Sequence, residues 1–285
     1  MAGTPGRSRG LVLGGGGITG IAWETGLLAG LLEHGVDLTS ADVVVGTSAG
    51  SVVGAQLTSG TTLADLYAEQ VPDVLDAPTP PSFGLPVVAG AGLAVLRARG
   101  DVEKLGRHLG AWAVRRTRRG STPPLEERLQ VIGERLPSTD WPTAADLRIA
   151  VVDATTGTRR VLDRDAGVPL LDAVAASCAV PGVYPPVPID GRPHVDGGAH
   201  SAVNADLARD CDLVVAVAPI AKGLGPMQNP YQQLEGHPHL VVRPDDASRT
   251  AIGKNVLDLA ARGASARAGH AQAAAVVDQV RELWG

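Results

Sequence analysis

The segment Gly46-Thr47-Ser48-Ala49-Gly50 is a Gly-x-Ser-x-Gly that follows three β-branched residues, Val43 to Val45, and precedes small and apolar residues able to open a helix. Where a strand turns abruptly into a helix, the apex residue has strained backbone angles and its side chain stands clear of both elements. Gly46 and Gly50 are needed because a Cβ at either position would collide across the turn. Ser48 is therefore a candidate nucleophile, its hydroxyl aimed at the first N–H groups of a helix, whose partial positive charge favours a developing alkoxide.

A second strand, loop and helix begins at Leu11-Val12-Leu13 and continues through Gly14-Gly15-Gly16-Gly17-Ile18-Thr19-Gly20. Two chemistries compete for this loop. The spacing Gly15-x-Gly17-x-x-Gly20 fits a dinucleotide fingerprint, which expects an acidic residue about 20 positions on, at the end of the next strand, to hold a ribose. Asp37 stands at a suitable distance but before that strand, whose end is Gly46-Thr47-Ser48, so the nucleotide reading loses. The other reading makes the backbone N–H groups of Gly15, Gly16 and Gly17 a nest for an oxyanion. Both loops sit at the carboxyl ends of strands and can share one crevice.

A serine hydroxyl needs a proton acceptor. Of seven histidines, none has a setting that singles it out, although His239 or His270 would fit a chain order of Ser, Asp, His. A carboxylate is the alternative. Asp196 ends a short strand and is followed by Gly197 and Gly198, which leave room around it, while Asp153 and Asp190 compete and Asp190 belongs to a hairpin turn with Gly191.

These residues need a scaffold. The glycine loop leads into a helix with Trp23, Leu27, Leu28, Leu31 and Leu32 on one face and Gly35 as its stop. Further strands read at Leu147 to Asp153, Arg159 to Leu162, Val187 to Ile189, His194 to Val195, Cys211 to Val217 and His239 to Val242. Helices read at Leu125 to Leu136, at Leu170 to Cys178, and from Ile252 to the end, where Ala273, Val276, Val277, Val280 and Trp284 recur at helical spacing. Strands alternate with helices and no period repeats, so residues 11–285 read as one α/β domain behind a flexible tail, 1–10.

Residues 72–120 read as a cap or insert. They include an apolar stretch, Val87 to Leu96, and Arg115, Arg116, Arg118 and Arg119 beside Trp112. Either a packed helix with a solvated basic end or a lid over 83–119 that touches a membrane surface fits that pattern.

With 285 residues the chain can bury about three-quarters of its unfolded surface and needs no disulfide or metal to hold its core. A net charge of −5 argues against nucleic acid as a partner. Cys178 and Cys211 lie in apolar surroundings and read as reduced, buried thiols. With no signal peptide or transmembrane span evident, a cytoplasmic protein is expected. Nothing in the pattern sets an oligomeric state.

Taken together and in order, from about Leu11 to Leu207, the glycine loop, Gly46 to Gly50, Ala176-Ser177-Cys178-Ala179-Val180-Pro181-Gly182 and Asp196-Gly197-Gly198 resemble the bacterial patatin-like phospholipases. The resemblance implies a three-layer α/β/α sandwich around a mostly parallel sheet. It also implies hydrolysis of lipid acyl esters by a Ser–Asp dyad without a catalytic histidine, metal or cofactor. Ser48 becomes the nucleophile and Asp196 the general base, and Gly15 to Gly17 with the Ala49 N–H become the oxyanion hole. Gly20, Gly46, Gly50, Gly197 and Gly198 support those motifs. Two positions depart from the family's commonest pattern: Gly14 replaces an aspartate, and Thr19 replaces an arginine or lysine. A Ser-His-Asp esterase, or a non-catalytic acyl- or nucleotide-binding protein, is the alternative.

Overall fold

A computed structural model of the chain describes residues 7–74 and 84–285. Most of the expected tail, and the middle of the proline-rich stretch, lie outside the described residues. In chain order the elements are β1 (Arg9–Leu13), α1 (Gly17–Glu33), β2 (Val43–Gly46), α2 (Ala49–Leu57), α3 (Leu63–Gln70), α4 (Leu85–Ala98), α5 (Val102–Arg118) and α6 (Leu125–Gly133). There follow β3 (Asp146–Asp153), β4 (Arg159–Leu162), α7 (Leu170–Ser177), β5 (Val187–Ile189), β6 (Arg192–Asp196), β7 (Leu213–Val217), α8 (Pro230–Gln233), β8 (His239–Val242), α9 (Asp246–Ile252) and α10 (Arg262–Trp284).

The sheet runs β5-β6-β3-β2-β1-β7-β8, with β4 also paired to β3. From β3 to β8 neighbouring strands are parallel, whereas β4, β5 and β6 join antiparallel. Helices cover the central strands on one face and helices with short turns cover the other, which is why those strands are near-continuous apolar runs. Alternation sorts their side chains: Leu11, Leu13 and Val44 enter the core shared with α1, α2, α7 and α10, while Val12, Val43 and Val45 enter the core on the opposite face.

Helices α1 and α10 lie backbone against backbone. A Cβ at Gly26 or Gly30 of α1, or at Gly269 of α10, would drive into the partner helix, so the absence of side chains there sets the separation. Trp23, Leu27, Leu28 and Leu31 of the expected apolar face are buried, but Leu32 is exposed. The closing helix also starts later than its periodicity suggested. α9 ends at Gly253, whose φ of 71° is left-handed, and α10 begins only at Arg262. At the other end, β1 takes in Arg9 and Gly10, and the Ser8 N–H donates to Asp212.

The pairing of β3 brings the site together. Val151 and Val152 pair with both β4 and β6, so these two strands occupy opposite edges of β3. Ile149 pairs with both β4 and β2, so β2 shares its edge with β6. Gly46 stands opposite Ile149 and Asp196 opposite Val151 on that one edge, two residues or about 7 Å apart. The end of β6 thus arrives where the chain leaves β2 for Ser48. Its register is set in turn by the β5–β6 hairpin, whose Asp190 (φ 51°) and Gly191 (φ 72°) supply the two positive φ angles of a two-residue hairpin turn.

Candidate active site

Ser48 has φ 51° and ψ −114°, a conformation that costs a residue with a side chain about 1–3 kcal/mol. The surroundings over-determine it. Its N–H donates to the Ser177 hydroxyl oxygen at 2.9 Å, and that hydroxyl donates to the Ala150 carbonyl at 2.8 Å. Its own carbonyl accepts from the Ser51 hydroxyl at 2.7 Å and from the Cys178 thiol at 3.3 Å. Gly50 donates its N–H to the Gly14 carbonyl at 3.0 Å, which joins the two loops directly. A Cβ at Gly46 would lie 2.5 Å from the Ser51 Cα, as the sharp turn requires.

The Asp196 carboxyl is 4% exposed, accepts the Gly198 N–H on Oδ1 at 2.7 Å and has the Ser48 hydroxyl as a neighbour that favours its charged form. Burial pushes its pKa up to about 6, against the opposing pull of the Ser48 hydroxyl, the Gly198 N–H and the Arg128 charge. The competing groups are elsewhere. Asp153 caps the Thr155 and Thr156 N–H groups and pairs with Arg192, and Asp190 pairs with Arg160. The His239 Nδ1 faces the His237 carbonyl, while His270 stacks on Tyr67 beside Glu33. Among the described residues no histidine bonds Ser48 or Asp196. Asp37 precedes β2 and caps a short turn at the opposite end of the parallel strands from the glycine loop.

One loop amide differs from expectation. The Gly15 N–H donates to the Ala202 carbonyl at 2.7 Å and is therefore spent, although a Cβ at Gly15 would lie only 3.6 Å from that of Ser48. The N–H groups of Gly16, Gly17 and Ala49 carry no hydrogen bond among the described residues, and Gly17 and Ala49 line a cavity with Ser48. Gly17 is left-handed (φ 61°) and tight against the Val256 carbonyl, which excludes any side chain. Gly20 packs against Ala49, and Gly197 against Ala150. Thr19 is fully buried and donates its hydroxyl to the Val256 carbonyl at 3.3 Å.

The cavity over Ser48 is narrow, about 20 Å³ or roughly one water molecule, and Arg128, Arg135, Cys178 and Tyr184 also line it. A roomier groove of about 560 Å³, lined by Pro123, Leu125, Pro185 and Pro186 among others, does not include Ser48, and no titratable side chain lines it. Cys178 is free, and burial raises its thiol pKa, which makes it a filler rather than a nucleophile.

Several of these contributors have no motif. Ser177 lies inside a quoted block, but its bridging hydroxyl is visible only in three dimensions. Unmaking that bridge would strand two buried backbone groups, at about 1–3 kcal/mol each. Asn204, left-handed at φ 54°, donates to the Thr47 hydroxyl and the Ser201 carbonyl. Arg128 lies on α6 and Arg135 in the turn just past its end, and neither belongs to a motif. Glu24 of α1 is fully buried, with both oxygens lacking a hydrogen bond, and burial raises its pKa well above the carboxylate range.

A family model described as patatin-like phospholipase matches residues 11–209. Among solved structures, VipD from Legionella pneumophila is similar at 13% identity and a TM-score of 0.45, over 96% of this chain and 67% of that one. The type III effector protein ExoU is similar at 18% identity and a TM-score of 0.36, over 97% of this chain and 54% of that one. The chain thus spans about two-thirds and about half of those proteins. The family match covers most of the chain, including both candidate site loops and the strand that carries Asp196, and the protein belongs to the patatin-like phospholipase family.

Proposed function

We propose that the protein is a lipid acyl hydrolase that cleaves carboxylic esters with Ser48 as nucleophile and Asp196 as general base. The observation that carries this reading is a buried Asp196 carboxyl whose charged form the Ser48 hydroxyl favours, with no imidazole bonded to either group among the described residues. In acylation the Ser48 oxygen attacks the ester carbonyl while its proton passes to Asp196. The tetrahedral intermediate collapses to an acyl-serine, and the departing alcohol takes that proton. Water then attacks the acyl-serine, again giving a proton to Asp196, and the Ser48 oxygen recovers it as the fatty acid leaves.

A base with a pKa of about 6 is roughly two orders of magnitude stronger than an ordinary aspartate. That is still modest for an alcohol, so charge stabilisation carries much of the barrier. The N–H groups of Gly16, Gly17 and Ala49 are the free donors for the oxyanion, and such donors contribute about 3 kcal/mol each. A fluorophosphonate probe is expected to label the protein once, on Ser48 by peptide mapping, and to block fatty-acid release from acyl esters in step with labelling. Release that persists in fully labelled protein would refute the reading.

The helical hairpin α4–α5 supports a lipid surface as partner. Arg116 holds α5 to the Gly182 carbonyl at 3.1 Å and lies over Trp112, so part of the basic cluster is packed, next to the loop that carries Val180 and Tyr184. Outward, α4 presents Leu85 (86% exposed), Val88, Leu93 and Leu96 (75% exposed) with no polar side chain before Arg97. Residues 84–120 carry eight basic side chains against two acidic ones in a chain of net charge −5. An apolar stripe beside basic charge suits an anionic bilayer surface. No described helix is long and apolar enough to cross a membrane. The pair Leu93→Asp and Leu96→Asp should weaken co-sedimentation with vesicles of mixed phosphatidylcholine and phosphatidylglycerol at least tenfold, since each leucine is worth about 1.5–3 kcal/mol when buried. Unchanged co-sedimentation would remove the surface from the account.

A further inference from the structure

A cavity of about 20 Å³ over Ser48 holds roughly one water, and any ester is larger, so part of the wall has to move before Ser48 can meet a substrate. Most of the wall is pinned. Gly17 and Ala49 open α1 and α2, and Ile21 is packed in the main core. The 178–184 loop is tied to the catalytic geometry itself, because the Ala179 carbonyl accepts the Asp196 N–H at 3.1 Å, while Arg116 holds Gly182 and Arg128 stacks on Tyr184.

The remaining wall residue, Leu257, belongs to the connection between α9 and α10. It is 4% exposed, and its Cδ2 lies 3.0 Å from where a Cβ on Gly17 would stand, so it covers one of the free loop amides. Leu257 packs with Val183 and Tyr184 in a small apolar cluster apart from the main core. The connection is folded on itself: the N–H groups of Leu257 and Asp258 bond to Asn255, and those of Ala260 and Ala261 bond to Asp258. Left-handed Gly253 precedes it. Its tie to α1 runs through the Val256 carbonyl, which accepts the Thr19 N–H at 3.1 Å and the Thr19 hydroxyl at 3.3 Å. The position that departs from the family's commonest cation therefore serves here to hold this segment down.

We infer that residues 254–261 form a gate over Ser48, latched to α1 by Thr19 and plugged by Leu257, which governs the entry of acyl esters. That the gate must open rests on the hydrolase reading; that it covers Ser48 does not. Opening moves Leu257 from its cluster towards water and breaks the Val256 latch, while the loop that carries Ala179 and the Asp196 register stay in place.

The test reads access to Cys178, which lines the same cavity and has no part in the proposed chemistry, with Cys211, buried in the core on the opposite face of the sheet, as internal reference. Methyl methanethiosulfonate labels each thiol at a rate that follows the fraction of molecules in which it is open to solvent. Thr19→Val removes the hydroxyl latch without enlarging the cavity, and should speed labelling of Cys178 about two- to tenfold. Leu257→Ala removes the plug and should speed it at least about tenfold. Cys211 should keep its parent rate in both variants. Acceleration in Leu257→Ala alone would make that side chain a fixed wall and overturn the gate, as would an unchanged Cys178 rate or equal acceleration of both thiols. Should Leu257→Ala fail to fold, Thr19→Val decides. Hydrolysis of p-nitrophenyl butyrate is followed in the same proteins, and kcat/KM should rise in step with the Cys178 rate. The expected thiol rates without ester turnover in any of the proteins would leave the gate standing and remove the hydrolase reading; ester turnover with unchanged thiol rates would do the reverse.

Discussion

Ser48→Ala is expected to lower kcat/KM for p-nitrophenyl butyrate by at least about 10⁴-fold, because the covalent route is lost and only the residual acceleration from the oxyanion hole and binding is left. The substitution is informative because it should do little else. Alanine at φ 51° carries the same backbone strain as serine, and the N–H bond to Ser177 and the carbonyl bonds to Ser51 and Cys178 do not involve the side chain. One further effect is electrostatic. The Ser48 hydroxyl is the largest of the interactions that favour the charged form of Asp196, so its loss raises the Asp196 pKa further. Ser48→Gly serves as the companion variant: equally inactive, but more stable than Ser48→Ala by about 1 kcal/mol, since glycine accepts a left-handed φ without strain. Retention of more than about one per cent of the parent activity by both variants would exclude Ser48 as the nucleophile.

The parts of this site that lie within one strand, turn and helix were legible in the sequence. Val43 to Gly50 reads as an elbow because β-branched residues, flanking glycines and a helix start are all contiguous, and the backbone angles of Ser48 agree. The β5–β6 hairpin is legible for the same reason, through Asp190 and Gly191. Contacts set by strand order were not. That β6 continues the edge of β3 that β2 leaves depends on pairings between residues 41 to 103 positions apart, so the meeting of Ser48 and Asp196 came from resemblance to a family rather than from local pattern. The loop amides show a subtler limit. Four consecutive glycines announce that backbone is exposed for use, but which N–H is free depends on where the Ala202 carbonyl lands. Arg128 of α6 was hidden because a charged residue on a helix is ordinarily solvated, and only burial against Tyr184 distinguishes it from its neighbours. The delayed start of α10 follows from Gly253, a stop that apolar periodicity does not register.

Asp196→Asn should reduce kcat/KM by about 10³-fold or more while making the fold more stable, and the opposite signs follow from one cause. The folded pKa of Asp196 is raised to about 6 from 3.8, so the folded state holds its proton more tightly than the unfolded state does. Its favourable contribution is fully present below pH 3.8 and is lost as pH rises through 6, which leaves a cost of about 3 kcal/mol above both values. Asparagine carries no charge to desolvate and can still accept the Gly198 N–H, so at pH 7.5 the variant should unfold at higher urea, and the difference should shrink towards pH 4. In the parent protein the same titration controls the rate. Only the carboxylate can take the Ser48 proton, so kcat/KM should fall about tenfold per pH unit below pH 6 and level off above it. His239→Ala and His270→Ala should stay within about twofold of the parent throughout, since both side chains are engaged away from Ser48. An active Asp196→Asn protein, or a collapse at either histidine, would transfer the proton chemistry to an imidazole and require a conformation in which Ser48 has left the carboxyl it now faces.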